Sequence, residues 1–520
     1  MAQLFHTVVA DFISWTQILW LVLGLAITRL SWEFLFSPLK EFPGPFAARF
    51  TNIWRVLATL RGHVDFVHIQ LHRKYGSAVR IGPNVISLGD PKLIKTIYTT
   101  NDPWKKSDMY HPNDVLLNGA RISNLFNTAD ENWHMNQIRP IQNLWSMTKV
   151  LEYESLIDET LEKFVNKLAT KFVTGSNLGR PCAIDEWLAY FAWDVTANVS
   201  FGRHYGFIDQ EKDVDNLISD STKGLKYFAP VSQMPWIDHF LDKNPIIRIG
   251  PKPTLTGVLY AFGVVAEYGK DLAARQTGER SMKHTLHKYM QLRETHPEID
   301  DAQIVNWLML SILAGGDTSS AVMRAVIYYL AKSPVAYGKL TQELNEAKLT
   351  LPAQWKEIQK LPYLDAVIRE SMRLNPGIAM VFERVVPGSG FNLPDGRYIP
   401  AGTKVGINPA VTNRDYAVFG KDADSFNPGR WLQGSDESQE TFHARQRQMK
   451  DVCDFTFGGG RRICMGRHLA TLEIYKLIAT LYSLYDIKLV DQDHEWKYLN
   501  AWFVYQHDIP VTITRRNFIS

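Results

Sequence analysis

Three consecutive glycines, Gly458-Gly459-Gly460, lead through Arg461-Arg462-Ile463 into Cys464-Met465-Gly466, and a helical pattern follows at once from about Arg467 to Tyr485. Such a run lets the backbone pass very close to another surface, because no Cβ stands in the way. It also delivers a cysteine to a helix N-terminus. There the unpaired N–H groups and the helix dipole favour a thiolate, a soft anionic ligand for a metal. Arg462 adds positive charge suited to a carboxylate. A phosphate-binding loop would end in Gly-Lys-Ser/Thr, which is missing. A zinc site could use Cys464 with His468, but Cys453 is the one other sulfur nearby and the spacing matches no zinc pattern. An inert buried cysteine would not need the glycines.

Only 3 cysteines occur in 520 residues, which excludes a disulfide scaffold and fits a reducing compartment. With 57 Lys+Arg against 54 Asp+Glu, no global field argues for nucleic acid. Residues 12–28, FISWTQILWLVLGLAIT, carry no charge and read as a membrane segment. At about 1.5 Å per residue this is slightly short of a hydrocarbon core of roughly 30 Å; Arg29 can snorkel, and Leu30 to Phe36 extends the apolar stretch. No Lys or Arg precedes the run, whereas Arg29, Lys40 and Arg49 follow it, so the rest of the chain is expected in the cytosol. The alternative is a buried helix of the globular body. Phe42-Pro43-Gly44-Pro45 reads as a hinge behind this segment.

From about residue 50 the helical period dominates, as in Leu151 to Phe172, Ile299 to Lys332 and Leu472 to Tyr485. Strands are few. Residues 78–81 and 85–88 form a β-branched hairpin pattern around Gly82-Pro83-Asn84, and a second sheet region is expected in 379–410, with Gly396 and Gly402 at turns. The polar stretch Gly434 to Asp451 is expected to be a surface loop. Nothing after residue 50 looks like an interdomain linker. The expected fold class is mainly α with minor β sheets: a membrane anchor over 1–36 and one domain over 37–520.

A second signal is Ala314-Gly315-Gly316-Asp317-Thr318-Ser319, inside an apolar run from Ile304 to Leu330. Each helix-interior glycine costs about 1 kcal/mol relative to alanine, so packing against something flat is the expected compensation. An acid and a hydroxyl beside that opening can relay protons. The bland alternative has Thr318 bonded back to a carbonyl one turn earlier and Asp317 facing solvent. Glu370 and Arg373 lie three apart on a helical stretch and can pair, an arrangement that says little alone.

Taken together, these residues resemble the cytochrome P-450 superfamily of haem-thiolate monooxygenases. The signature F-x-x-G-x-R-x-C-x-G is met by Phe457, Gly460, Arg462, Cys464 and Gly466, A/G-G-x-D/E-T by the run ending at Asp317-Thr318, and E-x-x-R by Glu370 and Arg373. The resemblance implies the cytochrome P-450 fold with an N-terminal transmembrane helix. It implies haem b (iron protoporphyrin IX) with Cys464 as the axial thiolate, Phe457 against the proximal face and Arg462 near a propionate. Asp317 and Thr318 become the proton-delivery pair. Glu370, Arg373 and Arg430 become a structural triad, although Gly429 stands where the family often has Glu. Softer similarities, Asp194-Val195-Thr196 to Phe201-Gly202 and the hairpin at Arg80, point to fungal members of the pisatin demethylase-like branch. One departure stands out: the family's W-x-x-x-R becomes Trp133 followed by Gln137. Either His134 or Arg139 takes the propionate contact, or it is absent. Asn198-Val199-Ser200 is formally a glycosylation sequon, discounted as part of a core helix.

The implied activity is insertion of one oxygen atom of O2 into a lipophilic small molecule, a tailoring step in fungal terpenoid, polyketide or alkaloid biosynthesis. Residues 108–126, Leu308 to Ala314, Ile378 to Phe382 and Ala501 to Phe503 resemble substrate-recognition segments and are largely apolar and aromatic. No G-x-G-x-x-G fingerprint is present, so electrons must come from another protein, NADPH-cytochrome P-450 reductase. Arg445, Arg447, Lys450, Arg461 and Arg467 offer it a basic docking face. The expected location is the endoplasmic reticulum membrane. Rival readings are an electron-independent haem-thiolate isomerase or dehydratase, and a non-enzymatic haem sensor.

Overall fold

The computed structural model describes residues 15–117, 119–174, 178–251, 255–272 and 283–516. At its centre runs the helix Asp301–Lys332, whose N-terminus is capped by Asp300 accepting from the Gln303 amide. Around this central helix pack Ile184–Phe201, Leu255–Leu272 and Pro362–Leu374, together with the strand Phe503–His507. The helix Ile184–Phe201 is buried on nearly every side. That explains why apolar residues occur all round it rather than in a stripe, and why its buried Asp194 and Asn198 are hydrogen-bonded.

The 78–88 hairpin forms as expected, Ala78–Gly82 antiparallel to Val85–Leu88. Lys404–Ile407 adds in parallel to Val85–Leu88, and Arg384–Val385 closes the four-stranded sheet. Gly396 and Gly402 hold positive φ, 88° and 80°, at turns in this region. The C-terminal strands were not anticipated. Tyr485–Leu489 pairs with Pro510–Arg515, and Lys497–Ala501 with Phe503–His507.

Two expectations need correction. The stretch 434–451 is not a loop, because Gln439–Cys453 is a helix capped by Ser438, which accepts from the Thr441 amide. Only Met449, Val452 and Cys453 on it are buried, so it carries almost no apolar stripe to read. Nor is Phe42–Pro45 a free hinge. Phe42 is buried, the Arg80 amide donates to the Pro43 carbonyl at 2.8 Å, and a Cβ on Gly44 would lie 2.0 Å from the Arg80 carbonyl oxygen. The segment lies against the first strand of the sheet.

Ahead of it, Trp15–Leu35 is a helix. Its residues Thr16–Leu35 are long and apolar enough to cross a membrane and, apart from Glu33, are exposed. Residues 12–14 of the apolar stretch lie outside the described residues. The helix end is tied to the body: Glu33 pairs with Arg29 at 2.6 Å and with the fully buried Arg80 at 3.0 Å. Asn198 is buried and donates to the Leu156 carbonyl, so its sequon is not an accessible one.

Candidate active site

A cavity of about 360 Å³ opens between the central helix, the Cys464 loop, the helix Leu217–Val231 and the segments around Phe382 and Trp502. All four expected substrate segments contribute to its wall, for example through Phe126, Leu313, Ile378 and Phe503. The helix Leu217–Val231 was not singled out by sequence, yet it presents Asp220, Ser221 and Leu225 to the cavity.

Glycine shapes the floor. Gly458 and Gly460 take φ of +76° and +59°, a region that other residues rarely adopt. A Cβ on Gly460 would sit 2.4 Å from the Thr99 carbonyl oxygen, and one on Gly459 would lie 2.9 Å from the Tyr98 Cβ. The surface that the glycine run approaches is therefore the Tyr98–Thr99 backbone. The Cys464 amide donates to the Phe457 carbonyl at 2.7 Å, which closes the loop just ahead of the helix Arg467–Leu484.

The Cys464 sulfur faces the cavity, where it is accessible, while protein atoms surround it on the other sides. Burial pushes the thiol up; the Gly466 and Arg467 amides and the Arg467 charge oppose that shift. The helix N-terminus alone thus does not win. A bound cation is what would tip the sulfur to thiolate.

Four basic side chains line the same cavity: Lys106, His134, Arg384 and Arg462. Arg462 pairs with Glu131 at 2.7 Å and donates to the Leu125 carbonyl. Arg384 donates to the Glu383 carbonyl at 2.8 Å and lies over the Tyr98 ring. Lys106 bonds the Phe126 carbonyl, with its ammonium 4.1 Å from the Tyr110 ring centre. Burial first, then Arg384 and Arg462, push Lys106 well down. His134 is pushed down to about 3 by burial and the neighbouring Arg462, Lys106 and Arg461, and its Nδ1 is buried without a hydrogen-bond partner. Among the described residues, Glu131 is the carboxylate that answers this charge directly. Three basic side chains crowded together with one nearby carboxylate, and an orphaned imidazole nitrogen, beside a cysteine sulfur fit a guest that brings a metal and more than one carboxylate, as iron protoporphyrin does.

Sequence reasoning missed Lys106 and Arg384. They meet in an isolated antiparallel bridge between distant segments, a juxtaposition without local periodicity. Arg139, by contrast, is exposed at the end of the helix Glu131–Ile138 and is not part of the cavity wall, whereas His134 is buried on it. Gln137 offers its carbonyl to Trp307 Nε1. Phe457 lines the cavity; Gly460 does not.

On the central helix, Thr318 lines the cavity and its hydroxyl donates back to the Ala314 carbonyl at 2.6 Å. Asp317 turns the other way. It is buried, but not toward solvent: Oδ1 accepts from Trp193 Nε1 at 3.0 Å, and Oδ2 accepts from Ser221 and Tyr505, each at 2.8 Å. Burial raises its carboxyl and these three donors oppose the rise. The flat partner of Gly316 is the Trp193 indole, while Gly315 faces Thr196. Next to Thr318, the Ser319 hydroxyl bonds the buried Glu473, whose carboxyl burial pushes up to about 8.

Behind the cavity, Arg373 grips both oxygens of Glu370 at 2.8 Å, and Arg430 Nε reaches Oε1 at 2.9 Å. Trp431 Nε1 donates to Oε2 at 3.0 Å. Arg373 also binds the carbonyls of Asn413 and Ala423. What looked like a common surface pair is fully buried and joins four chain segments.

The family model described as Cytochrome P450 matches residues 43–514. The chain is 35% identical to Cytochrome P450 monooxygenase cfoH of Aspergillus candidus, over 95% of this chain and 92% of that one. It is 34% identical to Cytochrome P450 monooxygenase cicH of Emericella nidulans (93% and 95%) and 35% identical to Cytochrome P450 monooxygenase mfmA of Annulohypoxylon moriforme (97% and 98%).

Proposed function

Because this chain belongs to the cytochrome P450 family, whose members are haem-thiolate oxidoreductases, we propose that Cys464 is the residue that binds its haem iron. The reaction proposed is insertion of one oxygen atom of O2 into a lipophilic small molecule, as a tailoring step in fungal secondary metabolism. One juxtaposition carries this reading: a cavity-facing cysteine sulfur shares its chamber with the buried cations Lys106, Arg384 and Arg462. Thiolate-bound haem supplies reductive activation of dioxygen, with electrons from a redox partner.

The chain supplies the rest. Lys106, Arg384, Arg462 and His134 would hold the propionates, and Phe457 would pack near the sulfur. Thr318 presents its hydroxyl to the cavity, and Asp317 is the buried proton source behind it. Phe382, Trp502 and Phe503 offer aromatic surface to an apolar substrate and exclude water from it. Glu370, Arg373 and Arg430 fix the frame behind the site without touching the chemistry.

Residues 1–36 act as the anchor and 37–520 as the catalytic domain, placed on the cytosolic face of the endoplasmic reticulum. The exposed apolar helix Thr16–Leu35 supports that placement. The electron donor is NADPH-cytochrome P-450 reductase. Arg445 is ion-paired with Glu437, so the docking charge falls to Arg447, Lys450, Arg461 and Arg467. Fungal relatives near 35% identity support a fungal grouping, within which the pisatin demethylase-like branch is the one proposed.

Two experiments test the reading. Cys464→Ala should abolish the reduced-CO absorption band of a thiolate-bound haem; retention of that band overturns the ligand assignment. Full-length protein titrated with a library of lipophilic metabolites should give a substrate-type difference spectrum. Supplying reductase and NADPH should then yield a product heavier by one oxygen. Product formed without NADPH would establish the isomerase reading instead, and spectral binding without any product the sensor.

A further inference from the structure

Asp317 and Thr318 are adjacent in sequence, but their side chains part company. The Thr318 hydroxyl returns to Ala314, and Asp317 is absent from the cavity wall. The hydroxyl-bearing residue that both touches Asp317 and lines the cavity is Ser221, which donates to Oδ2 at 2.8 Å. The same carboxylate oxygen accepts from Tyr505, which is buried and whose hydroxyl lies within reach of Thr222; the Thr222 hydroxyl donates to the Ile218 carbonyl at 3.0 Å. Thr222 is half-buried and is not part of the cavity wall. Thr222, Tyr505, Asp317 and Ser221 therefore form one continuous string of hydroxyl and carboxyl groups, its two ends adjacent on the helix Leu217–Val231.

Hydroxyls donate and accept, whereas the Trp193 indole nitrogen only donates. Trp193 can hold Asp317 but cannot pass a proton to it and take another. We infer that Ser221 and Tyr505, not Thr318, connect Asp317 to the cavity and to its proton supply, with Tyr505 as the entry and Ser221 as the exit. In the step, the Asp317 O–H breaks as a new O–H forms on Ser221 Oγ, and the original Ser221 proton passes to an acceptor in the cavity. Tyr505 then gives its proton to Asp317 and takes one from Thr222, whose hydroxyl turns from the Ile218 carbonyl and is itself reprotonated by solvent water at the half-buried end of the string, so each O–H bond broken is matched by one formed. The inference rests on Asp317 as the proton source, as proposed above. It adds a link to substrate: Leu217, Gly224 and Leu225 of the same helix line the cavity, so a molecule that displaces the helix also displaces Ser221 from Asp317.

The test uses full-length holoprotein with reductase, NADPH and O2 alone. Infrared difference spectra assign the Asp317 carboxyl by its loss in Asp317→Asn, and its hydrogen–deuterium exchange is timed after mixing into D2O. Tyr505→Phe should slow that exchange at least tenfold, and a wild-type exchange rate in this variant overturns the entry. During NADPH oxidation, electrons leave as peroxide (O2 + NADPH + H+ → H2O2 + NADP+) or as water (O2 + 2 NADPH + 2 H+ → 2 H2O + 2 NADP+). Ser221→Ala should lower the water share at least twofold and Ser221→Thr should restore it, with the reduced-CO band unchanged as the folding control. A wild-type water share in Ser221→Ala overturns the exit. If Asp317→Asn also leaves that share unchanged, the assignment of Asp317 itself fails. If Asp317→Asn lowers it while Ser221→Ala and Tyr505→Phe do not, only the relay fails.

Discussion

Gly316 lies flush against Trp193: a Cβ on the glycine would fall 2.3 Å from Cδ1 of the indole. That contact lets the indole nitrogen reach Asp317. Gly316→Ala gains about 1 kcal/mol of helix propensity. The overpacking it forces should outweigh this, for a net loss of up to about 2 kcal/mol. Gly338 supplies the comparison. It is exposed on the helix Pro334–Ala347 with nothing near its missing Cβ, so Gly338→Ala should stabilise by about 0.5–1 kcal/mol. Urea unfolding of both variants checks the signs.

Glu370→Ala strips Arg373 and Arg430 of a buried carboxylate. Removing one partner of a buried ion pair costs about 3–5 kcal/mol. Recovery of haem-loaded protein should collapse, while Arg430→Lys, which keeps the charge but loses the planar fork, should lose less.

Lys106→Met and Arg384→Met should each loosen the haem, and Arg139→Met should not. A hydrogen bond to a charged group contributes about 1.5–3 kcal/mol, which converts to roughly a 10- to 100-fold faster release. Transfer of haem to an apo-globin acceptor measures it. Equal rates for all three variants would contradict the cation set.

Glu473 makes stability depend on pH with a definite sign. Folded, its carboxyl holds a proton up to about pH 8, because burial outweighs the Ser319 bond. Unfolded, it releases that proton near the ordinary Glu value, so the folded state binds more protons between the two and stability falls as pH rises through this window. The slope is about 1.4 kcal/mol per pH unit at most. Glu473→Gln should flatten it, as urea midpoints at several pH values would record.

Deleting residues 1–36 removes Glu33 and strands the guanidinium of the buried Arg80 without its carboxylate. A chain starting at residue 31 keeps the pair. The shorter protein should melt several degrees lower, and Arg80→Met should narrow the gap between the two.

Much of the site was legible because its geometry is local. The Cys464 loop, the Asp317–Thr318 turn and the 78–88 hairpin are each written within about ten residues. Reading failed where the cause lay elsewhere in the chain. The helix Gln439–Cys453 buries three residues near one end, so no 3.6-residue stripe announces it. Tyr485–Leu489 alternates as a strand should, but it follows the helix without a break, and the helical pattern reads on into Tyr485 and hides where the strand begins. Lys106 and Arg384 become a pair only through a bridge across 278 positions of sequence, and Asp317's partners come from three other elements.

The glycine run also says something about timing. The loop that presents Cys464 closes only against Tyr98 and Thr99, and Arg461 bonds the Thr100 carbonyl 361 residues back along the chain. Closing so long a loop is slow. During synthesis, residues 98–100 leave the ribosome early and must wait for nearly the entire remainder before the floor of the chamber exists. On the proposed assignment of Cys464, capture of the prosthetic group is therefore a late event, and a nascent chain stalled before residue 464 lacks both that sulfur and the floor around it.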